Sequence, residues 1–191
     1  FKDECTNHEF FHMATSFYDK KLNIGFCGFE QIFFYKKEAI GYGLNEGYTD
    51  LLSNRYFNED VDDTSYCYNV CMFFSKKLEE IVGQKEMEHF YLNADLLGLY
   101  KYLINFDEGT NIVTFIALLD YLYKNASLFN TNKCEDNYAI IQCFLAKWYI
   151  KKMEQQLNSE IIDEDTFNKN INNYINSLEN KDLYIKNYIK E

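Results

Sequence analysis

Five consecutive residues, His8-Glu9-Phe10-Phe11-His12, carry the most legible chemistry in this chain. Only three histidines occur among 191 residues, and two of them stand four positions apart. On a helix, side chains at i and i+4 lie one above the other, about 5–6 Å apart at Cβ. Two imidazoles so placed reach one cation from the same side. Glu9 projects to the flank of the pair, poorly placed as a third ligand but able to take a proton from a water on the metal. The competing interpretation is a surface helix that carries a histidine pair by accident.

Residues 4–18 supply the helix that this chemistry needs. Phe10, Phe11, Ala14, Phe17 and Tyr18 recur there at helical spacing, with Thr6 or Asn7 as the cap. Residues 22–43 differ in character, because Gly25, Gly28, Gly41 and Gly43 bracket the β-prone run Gln31-Ile32-Phe33-Phe34-Tyr35. That pattern predicts a hairpin or irregular strands turning at the glycines. The helical period returns from Leu44 to Phe57, with Leu44, Tyr48, Leu51, Leu52 and Tyr56 on the apolar side. The acidic residues 58–63 read as a solvated loop entering a helix N-terminus, without the glycine and ligand spacing of an EF-hand. Further helices are expected near 65–82, 93–105, 111–125, 135–157, 163–178 and 180–190.

The second helix contains Gly43-Leu44-Asn45-Glu46-Gly47-Tyr48-Thr49-Asp50. HExxH followed by Asn-Glu-x-x-Thr-Asp resembles the thermolysin-like gluzincin zinc metallopeptidases, a likeness that covers about residues 5–55. The resemblance implies zinc (Zn2+) held by His8, His12 and Glu46, with water in the fourth position and Glu9 as general base. It further implies that Asp50 orients His8 and that Asn45 supports His12, the kind of outer contacts zinc histidines need. An oxyanion donor is also required, and His89 and Tyr66 are the candidates. Arg55, the sole arginine, falls on the second metal helix, where pairing with a nearby carboxylate is expected.

Composition bounds the partners. Apolar residues make up 47% of the chain, which supports a packed core, and proline is absent. A net charge of −11 and a sequence pI near 4.8 argue against nucleic acid and anionic lipid. No apolar run reaches the roughly 18–20 residues of a membrane span. The chain opens on Phe1, seven positions before His8, which reads as a fragment whose upstream part is missing. The six cysteines lack a CxxC pair and are irregularly spaced, so free thiols in a reducing compartment, the cytoplasm, are expected.

The fold expected is mainly α (α+β): zincin-like metal-binding helices, a small β-hairpin and a C-terminal helical lobe. Residues 1–58 would form the metal-binding unit and 59–191 the helical lobe. The function expected is zinc-dependent hydrolysis of a peptide or protein substrate. The alternatives are a regulatory zinc-binding protein without turnover on the same scaffold, or a plain helical interaction domain.

Overall fold

A computed structural model describes residues 6–57, 66–125 and 132–179. Among them the chain is mainly helical, with eight helices and one small sheet. The order is α1 (Thr6–Thr15), β1 (Ser16–Asp19), β2 (Ile24–Cys27), β3 (Glu30–Phe33), β4 (Glu38–Ile40), α2 (Tyr42–Phe57) and α3 (Tyr66–Val82). Then follow α4 (Gln84–Leu92), α5 (Leu96–Leu103), α6 (Gly109–Lys124), α7 (Asn132–Asn158) and α8 (Glu164–Glu179).

The glycine-punctuated region is larger than the hairpin expected. It is a four-stranded antiparallel meander in the order β1-β2-β3-β4, with Phe17 opposite Phe26 and Ile32 opposite Ala39. The first helix is correspondingly shorter, since Ser16 to Tyr18 belong to β1 rather than to the helix predicted over residues 4–18. Phe17 and Tyr18 carry helical spacing, but cross-strand partners claim them: Phe17 stacks on Phe26 at 4.6 Å and Tyr18 meets Phe34 edge-on at 5.5 Å. Helix α4 fills a stretch for which no helix was expected, because its polar sequence buries only Met87 and Tyr91. The acidic residues 58–63 and the helix expected over 180–190 lie outside the described residues.

Helix α2 is enclosed, with every residue from Gly43 to Asp50 buried. It packs on α1, α3, α6 and β3, so it needs no polar face of its own. Its closest neighbour is α3. A Cβ at Gly47 would overlap the carbonyl of Cys71, so glycine permits this backbone-to-backbone approach. Gly47→Ala is therefore expected to cost about 1–3 kcal/mol through overpacking. Urea unfolding reads this as a lower midpoint; an unchanged midpoint would mean that the two helices part without penalty.

The start of α2 is held from a distance. Asp120, on α6, accepts the amides of Gly41 at 2.9 Å and Gly43 at 2.8 Å, so a carboxylate meets the positive end of the helix. Burial nevertheless leaves the Asp120 carboxyl above its ordinary pKa. A single apolar cluster runs from Phe29, Leu44 and Tyr48 through Phe74, Phe115 and Trp148 to Tyr174. Trp148 donates to Asp107 at 2.9 Å, and Tyr149 stacks on Tyr174 at 3.9 Å to join the C-terminal pair α7 and α8. No described helix is long and apolar enough to cross a membrane, and Cys27 and Cys143 are free thiols.

Candidate metal centre

Helices α1 and α2 run antiparallel where they meet, because His8 faces Asp50 while His12 faces Asn45. This crossing brings His8, His12 and Glu46 together, their donor atoms all within 4.8 Å of one another. The Nε2 atoms of the two histidines are 2.8 Å apart. Glu46 reaches both, with Oε2 3.2 Å from His8 Nε2 and Oε1 3.4 Å from His12 Nε2. Ligand atoms arranged tetrahedrally about an ion at ~2.0–2.1 Å lie about 3.3 Å from each other. The two Glu46 spacings are close to that value and the Nε2–Nε2 one is shorter, so the three donors form a cluster that could hold one divalent ion.

Titration pulls in the same direction. Burial opposes charge on His8, yet its bonds to Asp50 and Glu46 prevail and raise its pKa to about 9. His12 rises to about 10, burial again being outweighed, here by Cys27 and Glu46. Burial would raise Glu46, but the two imidazoles bring it down to about 2. Asp50 is raised by its own burial in spite of His8. In the metal-free protein both imidazoles are thus biased towards the protonated form around one carboxylate, and the 2.8 Å contact between their Nε2 atoms is bridged by a single proton.

The groups behind the donors decide how each ring presents itself. His8 Nδ1 lies 2.7 Å from Asp50 Oδ1, and a proton held there leaves Nε2 with its lone pair turned to the donor cluster. Asn45 comes within 3.3 Å of His12 Nδ1 through its Nδ2. The amide is pinned in that orientation, since its Oδ1 accepts the Phe29 amide at 3.0 Å. Gly28, with φ of +52°, makes room for it; a Cβ there would overlap both Asn45 Oδ1 and the Tyr91 ring. Thr49 closes the rear of the site, donating to the Asn45 carbonyl at 2.7 Å and lying 2.7 Å from the Tyr91 hydroxyl.

Two residues near the cluster escaped sequence reasoning. Cys27, at the end of β2, places Sγ 3.5 Å from His12 Nδ1. Burial pushes this thiol up, but His12 and its hydroxyl neighbours prevail and its pKa falls below the ordinary value. Glu30, at the start of β3 and opposite Cys27 in the sheet, is half-buried and feels the charge of Glu46. Burial, reinforced by Glu46, pushes it up to about 7. Nothing local in the sequence marks either residue, because the β2–β3 turn alone brings them alongside α1 and α2.

The remaining candidates are not among the three clustered donors. Glu9 is exposed on α1 between the two histidines. His89 is exposed on α4, its Nδ1 3.3 Å from Asn93 Nδ2, and is not part of the donor cluster. Tyr66 opens α3, and its side chain lies outside the described residues. Arg55 pairs with Glu79 at 2.5 Å and Glu88 at 2.8 Å, which makes it a tie between α2, α3 and α4. Against known proteins, the chain matches no family model, no curated protein and no solved structure.

Proposed function

We propose that this protein is a zinc-dependent metallopeptidase, with the HExxH of α1 and Glu46 of α2 as its metal site. The observation carrying this reading is the convergence of His8, His12 and Glu46, with Asp50 on the far nitrogen of His8. Two neutral imidazoles and one carboxylate suit zinc and leave a divalent ion with net positive charge. Bound there, zinc would supply Lewis acidity, lowering the pKa of water and polarising a scissile carbonyl.

The chain's own residues would do the rest. Asp50 accepts the proton of His8 Nδ1 and keeps His8 Nε2 turned to the donor cluster. Glu9, exposed beside the donors, would take a proton from the attacking water on its carboxylate and return it to the leaving amine. Tyr66 remains the sequence-derived candidate for the oxyanion donor, on a helix packed against α2. The division into a metal-binding unit over 1–58 and a helical lobe over 59–191 belongs to the same proposal.

Peptide hydrolysis with and without metal tests the reading. The zinc-loaded protein is expected to cleave members of a mixed peptide library. Chelation should abolish cleavage, and His12→Ala should not regain it when zinc is restored. Cleavage that survives chelation, or that His12→Ala retains, would exclude this mechanism. A zinc-loaded protein that cleaves nothing is instead a binding or regulatory protein on this scaffold.

A further inference from the structure

The position of His12 raises a question of proton placement that Asn45 does not answer. For Nε2 to offer a lone pair to a metal, the neutral imidazole must carry its proton on Nδ1, and that N–H needs an acceptor. Asn45 presents its NH2 group to Nδ1 at 3.3 Å, a donor facing a donor. Turning the amide over would set that NH2 against the Phe29 amide, which now donates to Oδ1 at 3.0 Å. Asn45 is therefore locked with its donor towards the ring.

Cys27 resolves the conflict. Its sulfur stands 3.5 Å from His12 Nδ1 and, at 3.9 Å, also receives the Asn45 Nδ2 group. The thiol donates in turn to the His12 carbonyl at 3.5 Å, which leaves the sulfur lone pairs to accept. Every partner then has a consistent role: Phe29 donates to Asn45, Asn45 and His12 donate to sulfur, and Cys27 donates to the backbone of α1. Thr15 lies 3.9 Å from the same sulfur and donates its own hydroxyl proton to the Phe11 carbonyl at 2.9 Å.

We infer that Cys27 is a positioning residue of the metal centre, the hydrogen-bond acceptor that holds the His12 proton on Nδ1 and frees Nε2 for the metal. It does for His12 what Asp50 does for His8, and Asn45 acts through the sulfur rather than on the ring. The inference rests on the metal-centre reading above. The sulfur stays outside the coordination sphere, on the opposite edge of the imidazole from Nε2.

Zinc affinity of the wild type, Cys27→Ala, Cys27→Ser and His12→Ala tests this, together with ring-nitrogen NMR and the absorption spectrum of the cobalt-loaded protein. Cys27→Ala should bind zinc about 10–100-fold more weakly, the usual cost of losing an outer partner of a metal histidine. Cys27→Ser keeps an acceptor and should fall between it and the wild type. NMR of the zinc-loaded wild type should place the His12 proton on Nδ1, and cobalt should show no thiolate charge-transfer band. Loss in His12→Ala with wild-type affinity in Cys27→Ala would overturn the role of Cys27 alone. Equal losses in the Ala and Ser variants, a proton on Nε2, or a thiolate band would do the same. Undiminished binding by His12→Ala would overturn the metal centre itself and this inference with it.

Discussion

Glu46→Gln is expected to lower zinc affinity by about 100–1,000-fold, with stoichiometric binding lost at micromolar protein. Glu46 touches both histidines, and it is the only anionic donor of the three. The amide keeps its size but not its charge, and removing one of three donors from a site worth roughly 10–16 kcal/mol costs on the order of 3–4. Isothermal titration measures the loss, and it also counts protons. With His8 raised to about 9 and His12 to about 10, the pair holds on to protons at neutral pH in the metal-free protein. Zinc uptake near pH 7 should therefore release protons, seen as a dependence of the heat on buffer ionisation. A wild-type affinity in Glu46→Gln would remove Glu46 from the site.

The same shifts set the stability of the metal-free protein. Both imidazoles titrate above the 6.5 of an unfolded chain, so their contribution is complete below about pH 6.5 and disappears as pH rises through 9 and 10. Glu46 titrates lower folded than unfolded, at about 2 against 4.5, so its contribution is complete above about 4.5 and lost as pH falls through 2. Metal-free protein should accordingly be steadiest between about 4.5 and 6.5, while zinc, competing with protons, holds the fold more firmly at higher pH.

Glu9→Gln should separate turnover from binding. Glu9 is exposed and is not one of the clustered donors, so the substitution should leave zinc affinity within a few-fold of wild type. Removing a general base costs typically 10²–10⁴ in rate, so kcat should fall by about that much with KM little changed. Steady-state cleavage of one identified peptide measures it. Equal rates in the two proteins would rule out Glu9 as the base and leave a metal site without the proposed chemistry.

The helices were legible where burial follows the 3.6-residue period. Val70, Phe74, Leu78 and Ile81 line one side of α3, and Ile112, Phe115, Leu119 and Leu122 one side of α6, both close to the expected bounds. Legibility failed where partners are non-local. Phe17 and Tyr18 continue the spacing of α1 until the strand opposite claims them, and α4 shows only two buried residues in nine. At the site, the His8–His12 pair was legible from its i,i+4 spacing, and Glu46 was reached through the resemblance carried by Asn45, Glu46 and Asp50 on the second helix. Cys27 was not, because its approach to His12 depends on the β1–β2 register and on the tight turn at Gly28.

The carboxylate at the head of α2 also has a consequence for the order of assembly. Asp120 follows Gly43 by 77 residues and Gly41 by 79, so the first turn of the helix carrying Glu46 is completed by a group far along the chain. Closing such a loop is entropically slow compared with winding a local helix. During synthesis the histidines leave the ribosome long before the anchor that seats their third partner. On the metal-site proposal, capture by all three donors would thus be a late event, awaiting α6, and an incomplete chain would expose the two histidines without the carboxylate held in place to complete their cluster.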